Sequence, residues 1–300
     1  MTAPGSPLSG SAPPDAAFTA PLRRLTRNPV AAIGLTVLVT LAIVAVLAPL
    51  IAPYAYDAQD RSYATLPAPP DSRHRLGTDN LGQDMLSRLI YGARVSMTVG
   101  LVVEMIELLI GLTLGVLAAF KGGWCDTVLM RVTDAMFAFP DLLFAILLMG
   151  VFRPTTATGS LLTVFIALAL VNWPSMARLV RGQALALRDR EYVVAARAMG
   201  VSDRAIIWRH LLPNMVSPII VAATVDIANV ILAEATLSFL GIGIQPPFPS
   251  WGRMISDGLG FLRSSPMQVF WPAAMLGLTV LSLNFVGDAL RDVLDPRLRE

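Results

Sequence analysis

The sequence predicts an all-α integral membrane protein, on the evidence of its composition and of one recurring pattern. Hydrophobic residues make up 55% of the 300 residues and charged residues only 15%, against roughly 25% charged in soluble domains. Mean hydropathy is +0.63. Uncharged apolar runs long enough to cross a bilayer recur along the chain. A soluble protein with so little charge could not cover its surface, so the apolar excess must face lipid.

Six membrane-spanning helices are predicted. Residues 1–22, mostly Pro, Ala, Gly and Ser, form a disordered cytoplasmic tail. Residues 23–94 hold an external segment and the first span, Val30–Ala52, whose 23 uncharged residues reach about 34 Å as a helix. Residues 95–300 form a five-helix core with spans at Val95–Phe120, Val128–Val151, Gly159–Leu179, Pro218–Ile242 and Val269–Leu290.

Both termini are expected in the cytoplasm, because an even number of spans returns the chain to one side. Of the 23 Lys and Arg residues, fourteen fall on the side of the termini, eight on the other and one, Arg131, inside the third span, and cytoplasmic segments carry such an excess. The formal charge of +2 gives no basis for nucleic-acid binding. One cysteine and two distant histidines make a metal site unexpected. The chain also has no GxxxxGK phosphate-binding run and no assembled set of catalytic side chains.

Acidic residues inside the spans are candidates for a translocation path. Each costs about 2.5–3.5 kcal/mol at the centre of a span on insertion scales, so it needs a polar cavity, a protein neighbour or a proton. Two interpretations stay open: a polar, water-lined path or proton relay, and buried contacts that join helices. The candidates are Glu104 and Glu107, three apart on one helix face, with Asp141, Asp226 and Glu234.

The third span has a proline in its interior. Pro140 is expected to bend the helix there. Near the cytoplasmic end, Arg131 and Asp134 are spaced to pair at i, i+3, which favours a structural contact between helices.

The polar stretch Val180–Val216 is predicted to form two short helices on the cytoplasmic side. A helix-forming run, Arg190–Met199, precedes Gly200, which suits the left-handed position after a helix end. A second helix, Asp203–Leu212, then meets Pro213. Such a rigid pair fits a partner's groove or lies on the membrane surface, and composition leaves both interpretations open.

This stretch resembles the EAA loop of the permease subunits of binding-protein-dependent ABC importers. Three other segments resemble the C-type dipeptide, oligopeptide and nickel branch of that family: residues 74–100, with Gln83 where Arg is usual, 233–252 and 284–299. Together they extend the resemblance over about residues 22–300. The loop pattern, with Val194 where Glu is usual, is Ala195-Ala196, three residues, Gly200, nine residues, then His210-x-Leu212-Pro213.

The resemblance implies a type I importer permease in the bacterial cytoplasmic (inner) membrane. Such a subunit is non-catalytic and binds no cofactor. It pairs with a homologous second permease, docks two cytoplasmic ATPase subunits that carry ATP and Mg, and receives substrate from an external binding protein. The residues implied in ATPase docking are Glu191, Ala195, Ala196, Gly200, Asp203, Arg204 and Pro213.

Two external segments are predicted to shape the entry where the binding protein docks. Asn80–Arg88 is expected to form a short helix, and Gln245–Gly252, with three prolines, a stiff non-helical stretch. The candidate residues of this mouth are Asp79, Asp84, Pro246, Pro247 and Trp251.

The function expected is import of di- or oligopeptides, with nickel or a metal chelate as the alternative substrate. A secondary transporter or channel that uses the buried acids is a second class of function, but it predicts internal repeats, and no convincing repeat is present. An intramembrane enzyme is a third class, and it lacks a catalytic set.

Overall fold

The computed structural model describes residues 28–63, 67–152 and 154–294, and within these ranges the chain is helical without a β-strand. Two isolated bridges, Gln59–Gln83 and Thr78–Asp84, join extended segments between the first two long helices. The tail predicted over residues 1–22 lies outside the described residues. The helices are α1 (Pro29–Ile51), α2 (Met85–Lys121), α3 (Gly123–Phe137), α4 (Asp141–Phe152), α5 (Ala157–Arg188), α6 (Glu191–Ala198), α7 (Asp203–Ile206), α8 (Leu212–Phe239), α9 (Trp251–Gly258) and α10 (Met267–Leu294).

Five of the predicted spans are present as helices long and apolar enough to cross a membrane: α1, α2, α5, the run from α7 through α8, and α10. The third differs from a continuous span. α3 and α4 meet at an angle of 89°. They make a sixth span only if the two helices together cross the membrane once. Pro140 disfavours a helical conformation at Phe139 and has no N–H to donate. The bend expected at Pro140 is therefore a break.

Several helices are longer than the apolar runs that predict them. α2 begins at Met85, so the short separate helix predicted over Asn80–Arg88 is wrong, and the boundary drawn between residues 94 and 95 falls inside α2. α5 continues nine residues past Leu179, to Arg188. These extensions carry polar residues that hydropathy places outside the membrane, and they connect the bundle to its external and cytoplasmic segments.

α2 lies at the centre of the bundle and packs closely along α5. A Cβ atom at Gly115 would lie 2.6 Å from the Ala177 carbonyl oxygen, and one at Gly111 would lie 2.7 Å from the Met176 Cβ atom. Small residues permit such close helix approach in membranes. α2 also packs against α8 and α1, while α10 packs against α1 and α8. The middle of the bundle is thus built by α2, α5 and α8.

Candidate functional site

The turn between α6 and α7 is a Schellman motif. The Val201 N–H donates to the Ala196 carbonyl at 3.1 Å, and the Gly200 N–H donates to the Arg197 carbonyl at 3.0 Å. Gly200 has φ +78°, and a Cβ atom there would meet nothing within 4 Å. Glycine is therefore required by the backbone conformation, as predicted, while the space around it is open.

The inner side of the loop is anchored on the bundle. Val193, Ala196, Ile206 and Leu211 are buried and belong to one core cluster with side chains of α2 and α5, including Val180. Ala196, expected to permit close contact with a partner, faces this core instead. Ala195 beside it is exposed. The loop is therefore a rigid extension of α2 and α5.

The outer side of the loop exposes large apolar side chains. Met199 is 77% exposed and Trp208 is 72% exposed, with Tyr192 and Val194 also exposed. We call these four residues the apolar patch. Exposed apolar surface outside the spans marks interaction sites, and aromatic residues and Met are enriched in protein interfaces. The predicted docking residues that are also exposed are Glu191, Ala195, Gly200, Asp203, Arg204 and Pro213.

The second helix of the loop does not end at Pro213, so that expectation is wrong. α7 is followed by a π-helical turn, Ile207–Leu211, in which the Leu212 N–H donates to the Ile207 carbonyl. α8 then runs on through Pro213 in its first turn, a position where proline's missing N–H costs little. The loop is therefore continuous with a bundle helix.

Three of the predicted acids meet inside the bundle. Glu104 and Glu107 of α2 are 3% and 1% exposed, and both interact electrostatically with Asp226 of α8. We call these three residues the acid cluster. Asn172 of α5 hydrogen bonds with Glu107, and the Asn229 amide donates to Asp226 at 3.5 Å. These polar side chains belong to the three central helices α2, α5 and α8.

Glu234 and Asp141 lie apart from this set. Glu234 is fully buried, and its Oε1 accepts a hydrogen bond of 2.6 Å from the Ser238 hydroxyl. The same hydroxyl accepts from the Ile244 N–H at 3.0 Å, so Glu234 holds the end of α8 to the segment that follows it. Asp141 is exposed in the first turn of α4, just after the break at Pro140.

Asp134 of α3 pairs with Arg131, as predicted, and has a second, closer partner on another helix. Asp134 Oδ1 lies 2.9 Å from Arg178 Nη2 of α5, whereas Arg131 Nη1 is 3.9 Å from Asp134 Oδ2. A second pair, missed by sequence reasoning, joins the same helices: Arg181 donates to both oxygens of Asp126 at 2.5 and 2.7 Å. Pairs 44 and 55 residues apart leave no local spacing signal.

The external end is held by buried polar contacts. Asp84 caps α2: its Oδ2 accepts from the Ser87 N–H at 2.8 Å and from the Ser87 hydroxyl at 2.7 Å, and its Oδ1 lies 2.9 Å from His74 Nδ1. Asp79 Oδ2 lies 3.4 Å from Arg88 Nη1. Burial raises the pKa of the Asp79 carboxyl although the Arg88 charge opposes this. We call the region built by these contacts, residues 67–90, the external cap, after the side of the membrane that the sequence predicts for it.

Of the other predicted mouth residues, Pro246 and Pro247 are exposed and joined by a cis peptide bond. Trp251 is fully buried, which corrects its assignment to the external surface. Its Nε1–H donates to the Leu89 carbonyl at 3.3 Å, and its ring fills the space over Gly92. A large apolar ring at the start of α9 is more stable packed against α2 than exposed to water.

Comparison with known proteins agrees with this architecture. The family described as the binding-protein-dependent transport system inner membrane component matches residues 111–300, and the N-terminal TM domain of oligopeptide transport permease C matches residues 20–70. The chain belongs to this family of inner-membrane transport components. It is therefore a multi-pass inner-membrane permease subunit of an ABC importer, which confirms the predicted family, helical membrane fold and permease role.

The relatives of this permease carry peptide-transport names. It is 38% identical to the dipeptide transport system permease protein DppC of Alkalihalophilus pseudofirmus, over 98% of this chain and 96% of that protein. It is 39% identical to the oligopeptide transport system permease protein OppC of Escherichia coli, over 92% and 90%. A chain of the methionine ABC transporter MetNI, in an inward-facing conformation, shares the fold with a TM-score of 0.57 at 20% identity, over 70% of this chain and 97% of that one.

Proposed function

We propose that this chain is one of two membrane-spanning halves of an ATP-driven importer of di- or oligopeptides. It pairs with a homologous second permease, and two cytoplasmic ATPase subunits that bind ATP and Mg dock on its loop. An external binding protein delivers the peptide. The observation that carries the proposal is the apolar patch, held outward on a rigid loop that is anchored to the bundle.

The ATPase docks on the apolar patch. Trp208, Tyr192 and Met199 have the side-chain chemistry of interface centres, and their loop is fixed to α5 and α8 on its other side. Movement of an ATPase bound there is transmitted directly to two helices that border the acid cluster. The loop thus acts as a lever without being catalytic itself.

The orientation follows from the same assignment. A loop that docks an ATPase lies in the cytoplasm, which places both termini there and the external cap outside. The exposed Pro246–Pro247 segment and the turn that precedes α2 then face the binding protein. This agrees with the excess of Lys and Arg on the side of the loop.

Peptides are favoured as substrate over nickel or a metal chelate. The relatives named above are dipeptide and oligopeptide permeases. Among the described residues no group of three or more His, Cys, Asp or Glu is arranged to hold a metal ion. A carrier of peptides needs no such group.

Copurification tests the docking surface. The permease is coexpressed with its second permease and ATPase, and the ATPase recovered with it in detergent is measured. Met199→Glu and Trp208→Glu each place a charge on the apolar patch, and we expect each to reduce ATPase recovery by on the order of tenfold or more, as for hot-spot residues.

The matched control is Leu81→Glu, which places the same charge on an exposed apolar residue of the external cap. It should leave ATPase recovery unchanged. Full recovery with both patch variants would contradict ATPase docking on this loop and would favour the alternative, a helix pair that lies on the membrane surface.

A further inference from the structure

The acid cluster lies at the middle of the three central helices. Glu104 and Glu107 are near the midpoint of α2, Asn172 is near the midpoint of α5, and Asp226 is near the midpoint of α8. These helices pack against one another. The cluster therefore sits near the mid-plane of the membrane, where charge is most costly.

The carboxylates of the cluster lack the partners that buried acids normally have. Both oxygens of Glu104 and Oε1 of Glu107 are buried without a hydrogen-bond partner. The charged groups that act on these two glutamates are acids: Asp226 acts on both, and Glu104 acts on Glu107. Buried polar groups are almost always hydrogen-bonded, and buried charges are paired, so these oxygens are left for a ligand.

The cluster is open on one side. Asp226 is half-buried and Asn229 is exposed, on the face of α8 at mid-membrane depth. Exposed polar side chains at this depth do not face hydrocarbon; they face a protein neighbour or a water-filled cavity. In a permease this face borders the path of the cargo.

The chemistry of the cluster selects a particular cation. Its three acids do not form a metal-ion site, but carboxylate and amide oxygens accept the three hydrogen bonds that an ammonium group donates. An ammonium ion close to two carboxylates would also remove the cost of their uncompensated charge.

We propose that the acid cluster binds an ammonium group of the peptide cargo as it crosses the membrane. The ammonium is supplied by the free amino terminus or by a lysine side chain. This inference rests on the peptide-importer function proposed above. Glu104 and Glu107 bind the cation, Asp226 lies at the entrance, and Asn172 orients Glu107.

Protection from carboxyl modification tests the binding. The permease complex is reconstituted in vesicles without the binding protein and treated with dicyclohexylcarbodiimide, an apolar reagent for carboxyl groups, and the labelling of Glu104 and Glu107 is measured by mass spectrometry. A dipeptide with a free amino terminus should slow labelling at least twofold. Its N-acetylated form should not, whereas an N-acetylated peptide that contains lysine protects if the side-chain ammonium also binds.

Transport tests the consequence. With the binding protein and ATP present, Glu104→Gln and Glu107→Gln should each reduce dipeptide uptake by on the order of tenfold, the worth of a charge-assisted hydrogen bond. Glu234→Gln is the matched control, because Glu234 is a buried acid that lies outside the acid cluster and whose Oε1 accepts from Ser238. In that variant the dipeptide should still protect Glu104 and Glu107 as it does in the wild type.

The outcomes separate this inference from the function on which it rests. Wild-type uptake of dipeptide, combined with equal protection by free and N-blocked peptides or with full uptake by both Gln variants, overturns the ammonium site alone. Absence of peptide uptake by the complete wild-type complex overturns the importer function, and the ammonium site falls with it.

Discussion

The external cap and the cytoplasmic loop both lie outside the apolar spans, but they differ in which side chains they bury and which they expose. In the cap, one group of charged residues is buried and paired within the chain: Asp84 has Ser87 and His74, and Asp79 has Arg88. In the loop, charged residues are exposed and large apolar ones are exposed beside them. The cap also exposes an apolar side chain, Leu81, at 47%, but Met199 and Trp208 of the loop are more exposed, at 77% and 72%. We therefore expect the loop, and not the cap, to carry the ATPase.

The cap and the loop are held rigid by different interactions. The cap is stabilised by hydrogen bonds to buried carboxylates, which are sensitive to the loss of a single acceptor. The loop is stabilised by apolar packing beneath it and by the Schellman turn at Gly200. Substitutions in the cap should therefore lower the thermal unfolding midpoint, whereas a substitution at the loop turn should weaken the response of ATPase activity to the binding protein.

The largest expected effect is at the cap. Asp84→Ala removes the cap of α2 and leaves His74 and Ser87 without their acceptor, so we expect a loss of roughly 3–5 kcal/mol in stability. The thermal unfolding midpoint of the purified permease measures it. Asp57→Ala, at an exposed acid in the same external region, is the control. A midpoint equal to that of the control would show that the buried contacts do not hold the cap.

An intermediate effect is expected at the loop turn. Gly200→Ala forces a side chain into the left-handed conformation, at a cost of about 1–2 kcal/mol. Since a Cβ atom there meets nothing within 4 Å, steric clash adds nothing. We expect ATPase activity that responds less to the binding protein, with membrane insertion unchanged. Gly182→Ala in α5 is the control, because a Cβ atom there also meets nothing within 4 Å and its φ is not unusual, so it should behave like the wild type. If the binding protein stimulates ATPase activity equally in both variants, the role of the turn is refuted.

The smallest effect is expected from acidification at the cap. The backbone N–H of His74 and the hydroxyl of Tyr63 donate to the Asp71 carboxyl at 2.6 and 2.7 Å. These hydrogen bonds hold the pKa of that carboxyl below its ordinary value. A lowered pKa means that stabilisation is present above the unfolded-state pKa, about 3.9, and is lost as the pH falls through the folded-state pKa. The midpoint difference between wild type and Asp71→Asn should therefore shrink below about pH 4. A difference independent of pH would contradict this account.

The sequence predicts the apolar spans and the glycine turn because both depend on local chemistry. The break at Pro140 is harder to predict, since Pro174 and Pro272 lie inside continuous helices. Whether a proline breaks a helix depends on whether neighbouring groups satisfy the freed carbonyls, and this is a property of the packed bundle.

Among the site residues, the pattern of acids predicts which residues are unusual but not which of them meet. Glu234 and Glu107 have the same side chain in similar apolar runs, yet Glu234 is bonded to Ser238, one turn away on its own helix, whereas Glu107 has Asn172 of another helix as its partner. The burial of Trp251 depends on Gly92, 159 residues earlier in the chain. Such long-range partners leave no spacing signal in the sequence.

Hydrogen–deuterium exchange tests the contrast between the two ends most directly. Amide exchange of the permease is compared in the presence and absence of the ATPase subunits, with the second permease present in both samples. Slower exchange over residues 191–211 when the ATPase is bound, with residues 67–90 unchanged, is the result that the account predicts. Unchanged exchange over residues 191–211, or protection at residues 67–90 instead, would contradict it.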